Sequence, residues 1–206
     1  MSEEPRPAER RYRMLDSARV GIAAIERIAD AVADWDVPTP CTKWDAHALV
    51  RHLHAIAADY LQWVDDAPAD RTRPLLRGAE LAYHNEQAMW RLPMLPARTH
   101  LQVFIGHANR HLQLADRHWD WPMMLAPSAV WTVGQHVGVA AIEWHVHAWD
   151  LARSQGAEHR PGDTDVLTDV WRVRLAGPTG QPLDEDRDPW EAVLVASGRD
   201  PAWQPA

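Results

Sequence analysis

An all-α bundle is the fold class that this 206-residue sequence predicts, and three observations carry the prediction. Apolar residues recur at three- and four-residue spacing through several long segments, the mark of helices burying one face. Proline and glycine fall between those segments rather than inside them, where they would break a helix. No run alternates apolar and polar residues as a half-buried strand does, and no internal repeat or low-complexity tract interrupts the pattern.

The first helix is expected over about 10–34, with Ile22, Ile25, Ala29 and Val32 on its buried face. Pro38 and Pro40 end it, since neither can continue the hydrogen-bond ladder. Thr42 and Asp45 are both suitable N-caps for a second helix. On that helix Leu49, His52, Leu53, Ile56, Tyr60 and Trp63 share one face, so His52 points inward. His47 and Arg51 lie off the stripe and are expected in solvent, and His54 lies on its border. Asp65 to Arg77 reads as a connection, Gly78 to Arg91 as a helix stopped near Pro93 and Pro96, and Thr99 to Trp119 as another. That last helix carries His100, His107, His111 and His118 in a row, read as a solvated or bundle-edge stripe shared with Asn109, Arg110 and Gln113. A place for one of them beside a metal site is the alternative. Asp120 to Trp131 reads as a loop, and Thr132 caps a central helix that Gly156 terminates. Beyond it a helix over 165–175, a turn at Gly177–Gly180 and a last helix near 190–197 complete the chain. The sequence thus reads as one domain over 1–206, a bundle over about 10–156 with an extension over about 157–206.

Composition narrows the function. A net charge of −8 without any basic stripe argues against a nucleic-acid partner. The stretch from Trp121 to Ile142 carries no charged residue and is long enough to raise a membrane span, but Pro122, Pro127, Gln135 and His136 make it a loop feeding a buried helix. Cys41 is the single cysteine and Met1 is followed by a charged, not an apolar, stretch, so a reducing cytoplasm without a signal peptide is expected. The twelve tryptophans read as core and rim packing.

The chemistry concentrates in the central helix. Glu143 and His147 are four residues apart, which sets their Cβ atoms roughly 5–6 Å apart on one face. Val137, Val139, Ala140, Ala141, Ile142, Val146 and Leu151 surround them, and burying a carboxylate and an imidazole costs free energy unless each is paired or ligates a metal. An inward His52 supplies a third ligand. Two imidazoles and a carboxylate suit zinc with a fourth position open, and nickel or iron(II) accept the same set. Asp150 is expected to make a structural hydrogen bond to backbone or a tryptophan N–H, with tethering the helix end or orienting a ligand as alternatives. Cys41 sits in a Pro-rich loop without an evident base. No particular C-terminal arginine is selected for binding an acidic group.

Three segments carry a family resemblance. Trp44-Asp-Ala-His-Ala-Leu-Val-Arg-His52-Leu53, preceded by Pro38-Thr-Pro-Cys41, is similar to the start of the second helix in DinB-like metalloproteins. The nearest group is the metal-binding domain of mycothiol-dependent maleylpyruvate isomerases. Glu143 to Ala152 resembles that family's E-x-x-x-H-x-W-D-L-A signature, and Gly198 to Trp203 resembles the ending of a short relative without the isomerase's second domain. The resemblance implies a DinB-like four-helix bundle with metal ligands at His52, Glu143 and His147. It also implies a low-molecular-weight thiol as co-substrate, activated as thiolate to attack a small electrophile. The function expected is a metal-dependent, mycothiol-type S-transferase or isomerase. A non-catalytic metal or small-molecule binding protein and a metal-activated-water hydrolase are the competing readings. Its partners would be the thiol and the electrophile, with no membrane and no nucleic acid, and a homodimer is compatible with all of this.

Overall fold

The computed structural model describes residues 7–41, 44–66, 72–74, 78–126, 129–175 and 181–205. Thr42, the Gly177–Gly180 turn and the first six residues, expected above as a cap, a turn and a leaderless N-terminus, lie outside them. The helices are α1 (Pro7–Asp30), α2 (Ala46–Asp66), α3 (Gly78–Arg91), α4 (Ala97–Arg117), α5 (Val133–Ser154), α6 (Thr164–Val170) and α7 (Pro189–Ala196). A π-helical turn, Trp171–Leu175, continues α6.

Four of these form the bundle. α1 lies along α5 and α2 along α4, and cross-contacts between the two pairs close the core. On α1 the buried residues Leu15, Ala18, Ile22, Ile25 and Ala29 recur at helical spacing and supply its contact with α5. α3 packs on α2, α6 on α5 and α7 on α6. The architecture is the all-α, DinB-like four-helix bundle with added C-terminal helices that the periodicity and the resemblance predict.

Local chemistry explains the ends of α5. The Thr132 hydroxyl accepts from the Gln135 N–H while the Gln135 side chain accepts from the Thr132 N–H, a reciprocal capping box. At the far end Gly156 has φ 69°, and the Ala157 N–H reaches the Ala152 carbonyl at 2.9 Å, so the helix closes in a Schellman turn that needs a left-handed residue. Within α5, Gly138 lets α6 approach: a Cβ there would sit 2.8 Å from a Val170 methyl. Asp45 caps α2 by accepting from the Ala48 N–H at 2.7 Å.

Three expectations are corrected. The segment read as a loop over 120–131 holds β2 (Pro122–Ala126) and β3 (Ala129–Thr132), paired antiparallel with Met124 opposite Val130. β1 (Thr72–Pro74) joins β2 in parallel, so the order is β1-β2-β3. Pairing partners from distant sequence create these short strands, and Pro122 is tolerated because it opens its strand. His47 and Arg51 are half-buried rather than fully solvated: the His47 Nε2 lies 3.0 Å from the Leu95 carbonyl, and Arg51 donates to the Leu92 carbonyl at 2.9 Å. They tie α2 to the chain between α3 and α4. The histidine row of α4 is not a solvated stripe either. His100 and His111 are fully buried, His107 and His118 partly, because the row faces the α2 side of the bundle rather than water. His100 Nδ1 meets His54 Nδ1 at 2.9 Å. Among the described residues no helix is long and apolar enough to cross a membrane; the uncharged 121–142 run is the β2–β3 hairpin and the first turns of α5.

Candidate metal centre

Two antiparallel elements bring the site together. α2 presents His52 from its buried stripe, between Leu49 and Leu53, which are fully enclosed. α5 is buried almost all round through Trp144 to Ala152, so its polar residues have only each other and the cavity to face. One ligand atom each from His52, Glu143 and His147 lies within 4.8 Å of the other two. His147 Nε2 is 3.3 Å from Glu143 Oε2. Tetrahedral coordination with bonds of about 2.0–2.2 Å places neighbouring ligand atoms about 3.3–3.6 Å apart, so this edge already has the spacing a zinc ion requires. The His52 and His147 rings meet edge to face, with centroids 4.9 Å apart, and Trp44 packs on His52 at 4.4 Å and lies 6.3 Å from His147. His52 Nδ1 is enclosed without a hydrogen-bond partner, a demand that ligation or protonation chemistry at this ring would answer.

The charges at the site are arranged for a cation. Burial pushes His52 down to about 3, the neighbouring His147 adds to the effect, and Glu143 only partly opposes it, so the ring is neutral and its lone pair free. Burial also acts to lower His147, but hydrogen bonds to Asp150 and Glu143 outweigh it and raise the ring above its ordinary value. Glu143 is held below the usual carboxylate range: burial would raise it, and His147 and His52 prevail.

Behind His147 stands a second layer. His147 Nδ1 donates to Asp150 Oδ2 at 2.9 Å, which leaves Nε2 directed at Glu143 and the site. Arg199 then grips Asp150, with Nη2 2.8 Å from Oδ2 and Nε 3.3 Å from Oδ1. Burial alone would raise the Asp150 carboxyl, and Arg199 and His147 together hold it below its ordinary range. Asp150 therefore fixes the ring of a candidate ligand through its Nδ1 and, among the described residues, bonds His147 and Arg199 rather than the backbone or tryptophan N–H expected from sequence. Arg199 comes from the turn after α7, where Gly198 has φ 83° and the Arg199 N–H returns to the Leu194 carbonyl. The sequence points to the Gly198–Trp203 segment but to no arginine in it; the Gly-Arg pair after a helix is the available signal.

A cavity of about 410 Å³ opens from these residues. Cys41, Trp44 and Arg199 line it near the triad, and Tyr60, Trp63 and His136 farther along. Burial pushes the Cys41 thiol up to about 11, so it is protonated at neutral pH and is no nucleophile. His136 and the α4 histidines do not join the triad: among the described residues, only His52, Glu143 and His147 form a cluster able to hold an ion. Tyr60, on the helix face that the sequence gives it with His52, is part of the cavity wall.

A bundle of this topology is the DinB-like fold, and here it carries a two-histidine, one-carboxylate cluster on α2 and α5. Within it, the chain belongs to the mycothiol maleylpyruvate isomerase N-terminal domain family, whose sequence model matches residues 18–152. Among solved structures it is similar to mycothiol-dependent maleylpyruvate isomerase, at 18% identity and a TM-score of 0.59. It is also similar to a histidine-to-alanine mutant of that isomerase, at 17% identity and a TM-score of 0.61. Each likeness covers 79% of this chain and 68% of the other. No curated protein matches the chain. Arg199 lies beyond the segment that the family model covers.

Proposed function

We propose that this protein is a divalent-metal-dependent, mycothiol-type thiol S-transferase or isomerase acting on a small electrophile, with His52, Glu143 and His147 as the metal ligands and zinc as the metal. The observation that carries the reading is the meeting of these three side chains at one end of a cavity large enough for two small reactants. A metal bound there supplies Lewis-acid chemistry that lowers the pKa of a coordinated thiol, so that thiolate exists at neutral pH. The protein does the rest. Asp150 fixes the His147 tautomer, and Arg199 holds Asp150. Trp44 and Trp171 wall the cavity with apolar surface, which excludes water and strengthens electrostatics inside. Only three ligand-type groups converge among the described residues, which favours an open coordination position over a closed structural site.

Arg199 and Ser197 line the same cavity as the triad, so we take the bundle and the C-terminal helices as one functional unit. A reducing cytoplasm, where Cys41 stays free and a thiol co-substrate is abundant, is the compartment this reading requires. The test is mycothiol consumption by zinc-loaded protein against a panel of small electrophiles. Turnover that disappears on chelation and returns with zinc supports the proposal. Consumption no faster than with buffer alone across the panel rejects it in favour of a binding protein.

A further inference from the structure

The cavity has a second polar end, built from the same two helices as the metal site. Tyr60 follows His52 by eight residues on α2, and His136 precedes Glu143 by seven on α5. At about 1.5 Å per residue, both lie roughly 10–12 Å along their helix axes from the ligands. The helices run in opposite directions, so the two displacements coincide, and Tyr60 meets His136 edge to face with centroids 4.4 Å apart. Trp63 also packs on His136, with centroids 5.0 Å apart, and on Tyr60 at 6.1 Å. Tyr60 lines the cavity and its hydroxyl makes no hydrogen bond to any described residue, whereas His136 Nδ1 is enclosed without a partner. A hydroxyl without a partner among the described residues, beside two aromatic rings, fits a planar ligand with one acceptor oxygen.

We propose that this end is the carbonyl subsite for the electrophile: the Tyr60 hydroxyl donates a hydrogen bond to the carbonyl oxygen of an uncharged α,β-unsaturated ketone or aldehyde. The inference rests on the thiol reading above and names the substrate class of that same site. As the thiolate sulfur bonds to the β-carbon, the carbon–carbon π pair shifts and negative charge collects on the carbonyl oxygen as an enolate. A proton from water then adds at the α-carbon and restores the carbonyl; the thiol's proton has gone to solvent, and nothing is oxidised or reduced. The Tyr60 O–H stabilises the oxygen where that charge develops.

The surroundings keep Tyr60 a donor and favour an uncharged ligand. Burial raises its phenol well above the ordinary value, and the negative charges of Glu143 and Asp59 add to the rise, so it stays protonated. Burial lowers His136 to about 4, so it brings no positive charge. Among the described lining residues, Arg199 is committed to Asp150, and His84 lies 3.2 Å from Asp59. A carboxylate-bearing ligand would face Asp59 at this end and Glu143 farther along the cavity, with no unengaged cation among those residues.

The experiment compares wild type with Tyr60→Phe, both zinc-loaded, on two electrophiles with mycothiol: 4-phenyl-3-buten-2-one, which forms an enolate, and benzyl chloride, which does not. Loss of one oxyanion donor predicts a fall in kcat/KM of about 100-fold for the enone and less than about twofold for the chloride. Equal losses on both substrates, or none on either, overturn the subsite. A second measurement is independent of turnover: titration with the saturated, unreactive 4-phenylbutan-2-one, followed by tryptophan fluorescence. Loss of one neutral hydrogen bond predicts a Kd about fivefold weaker in Tyr60→Phe. If wild type consumes no mycothiol yet this difference appears, the thiol reading fails and the carbonyl subsite stands. If the two Kd values agree, the subsite fails whatever the turnover.

Discussion

At the residue scale the site turns on His147, whose two ring nitrogens face different carboxylates, Glu143 at 3.3 Å and Asp150 at 2.9 Å. Removing the acceptor behind a ligating imidazole typically costs about 10–100-fold in metal affinity, because the tautomer and ring orientation are no longer fixed. Asp150→Asn is therefore expected to weaken zinc binding by about that factor, measured by competition with a chelating dye, with the helical circular dichroism unchanged. An unaltered zinc affinity would show that Asp150 only anchors Arg199. His52, Glu143 and His147 were legible because an inward polar residue on an apolar stripe must have a reason to be there. Arg199 was not, since its partner is 49 residues away and no periodicity links a turn after one helix to the middle of another. Asp150 was legible as a hydrogen-bonding residue, but the identity of its partners depends on which way α5 faces.

At the scale of elements, the long helices followed from their apolar rhythm, proline boundaries and caps. Two features did not. Strands of four or five residues depend on partners from elsewhere, so the β2–β3 hairpin carried no signal of its own. The histidines of α4 looked like a polar face; only the packing of α4 along α2 reveals that His100 and His111 are core. That burial has a consequence for stability. Desolvation lowers His54 and His136 to about 4, and desolvation aided by His145 lowers His159 to about 4. A histidine whose folded pKa is depressed binds more protons in the unfolded chain, so its contribution is fully present above about pH 6.5 and is lost as pH falls toward the folded value. The metal-free protein is therefore expected to lose Tm progressively between pH 6.5 and 4. Thermal melts across that window check this; a flat Tm would mean that these rings are hydrated rather than buried.

At the scale of the whole molecule, the bundle class was readable from pattern alone, and the three motif segments pointed to the family that the match over residues 18–152 establishes. The cavity was not readable. It is walled by α2, α3, α5, the β3 strand, the π-helical turn and the segment after α7, and its shape depends on how these meet in space. The account as a whole stands on one ion held between α2 and α5. The most direct test is elemental analysis of purified wild type and of His52→Ala and His147→Ala, each checked for retained helicity. The account predicts about one zinc per wild-type chain and less than about a tenth of that in each variant, since two ligands leave an incomplete site. A wild type that takes up no divalent metal, or variants that keep it in full, would contradict the account.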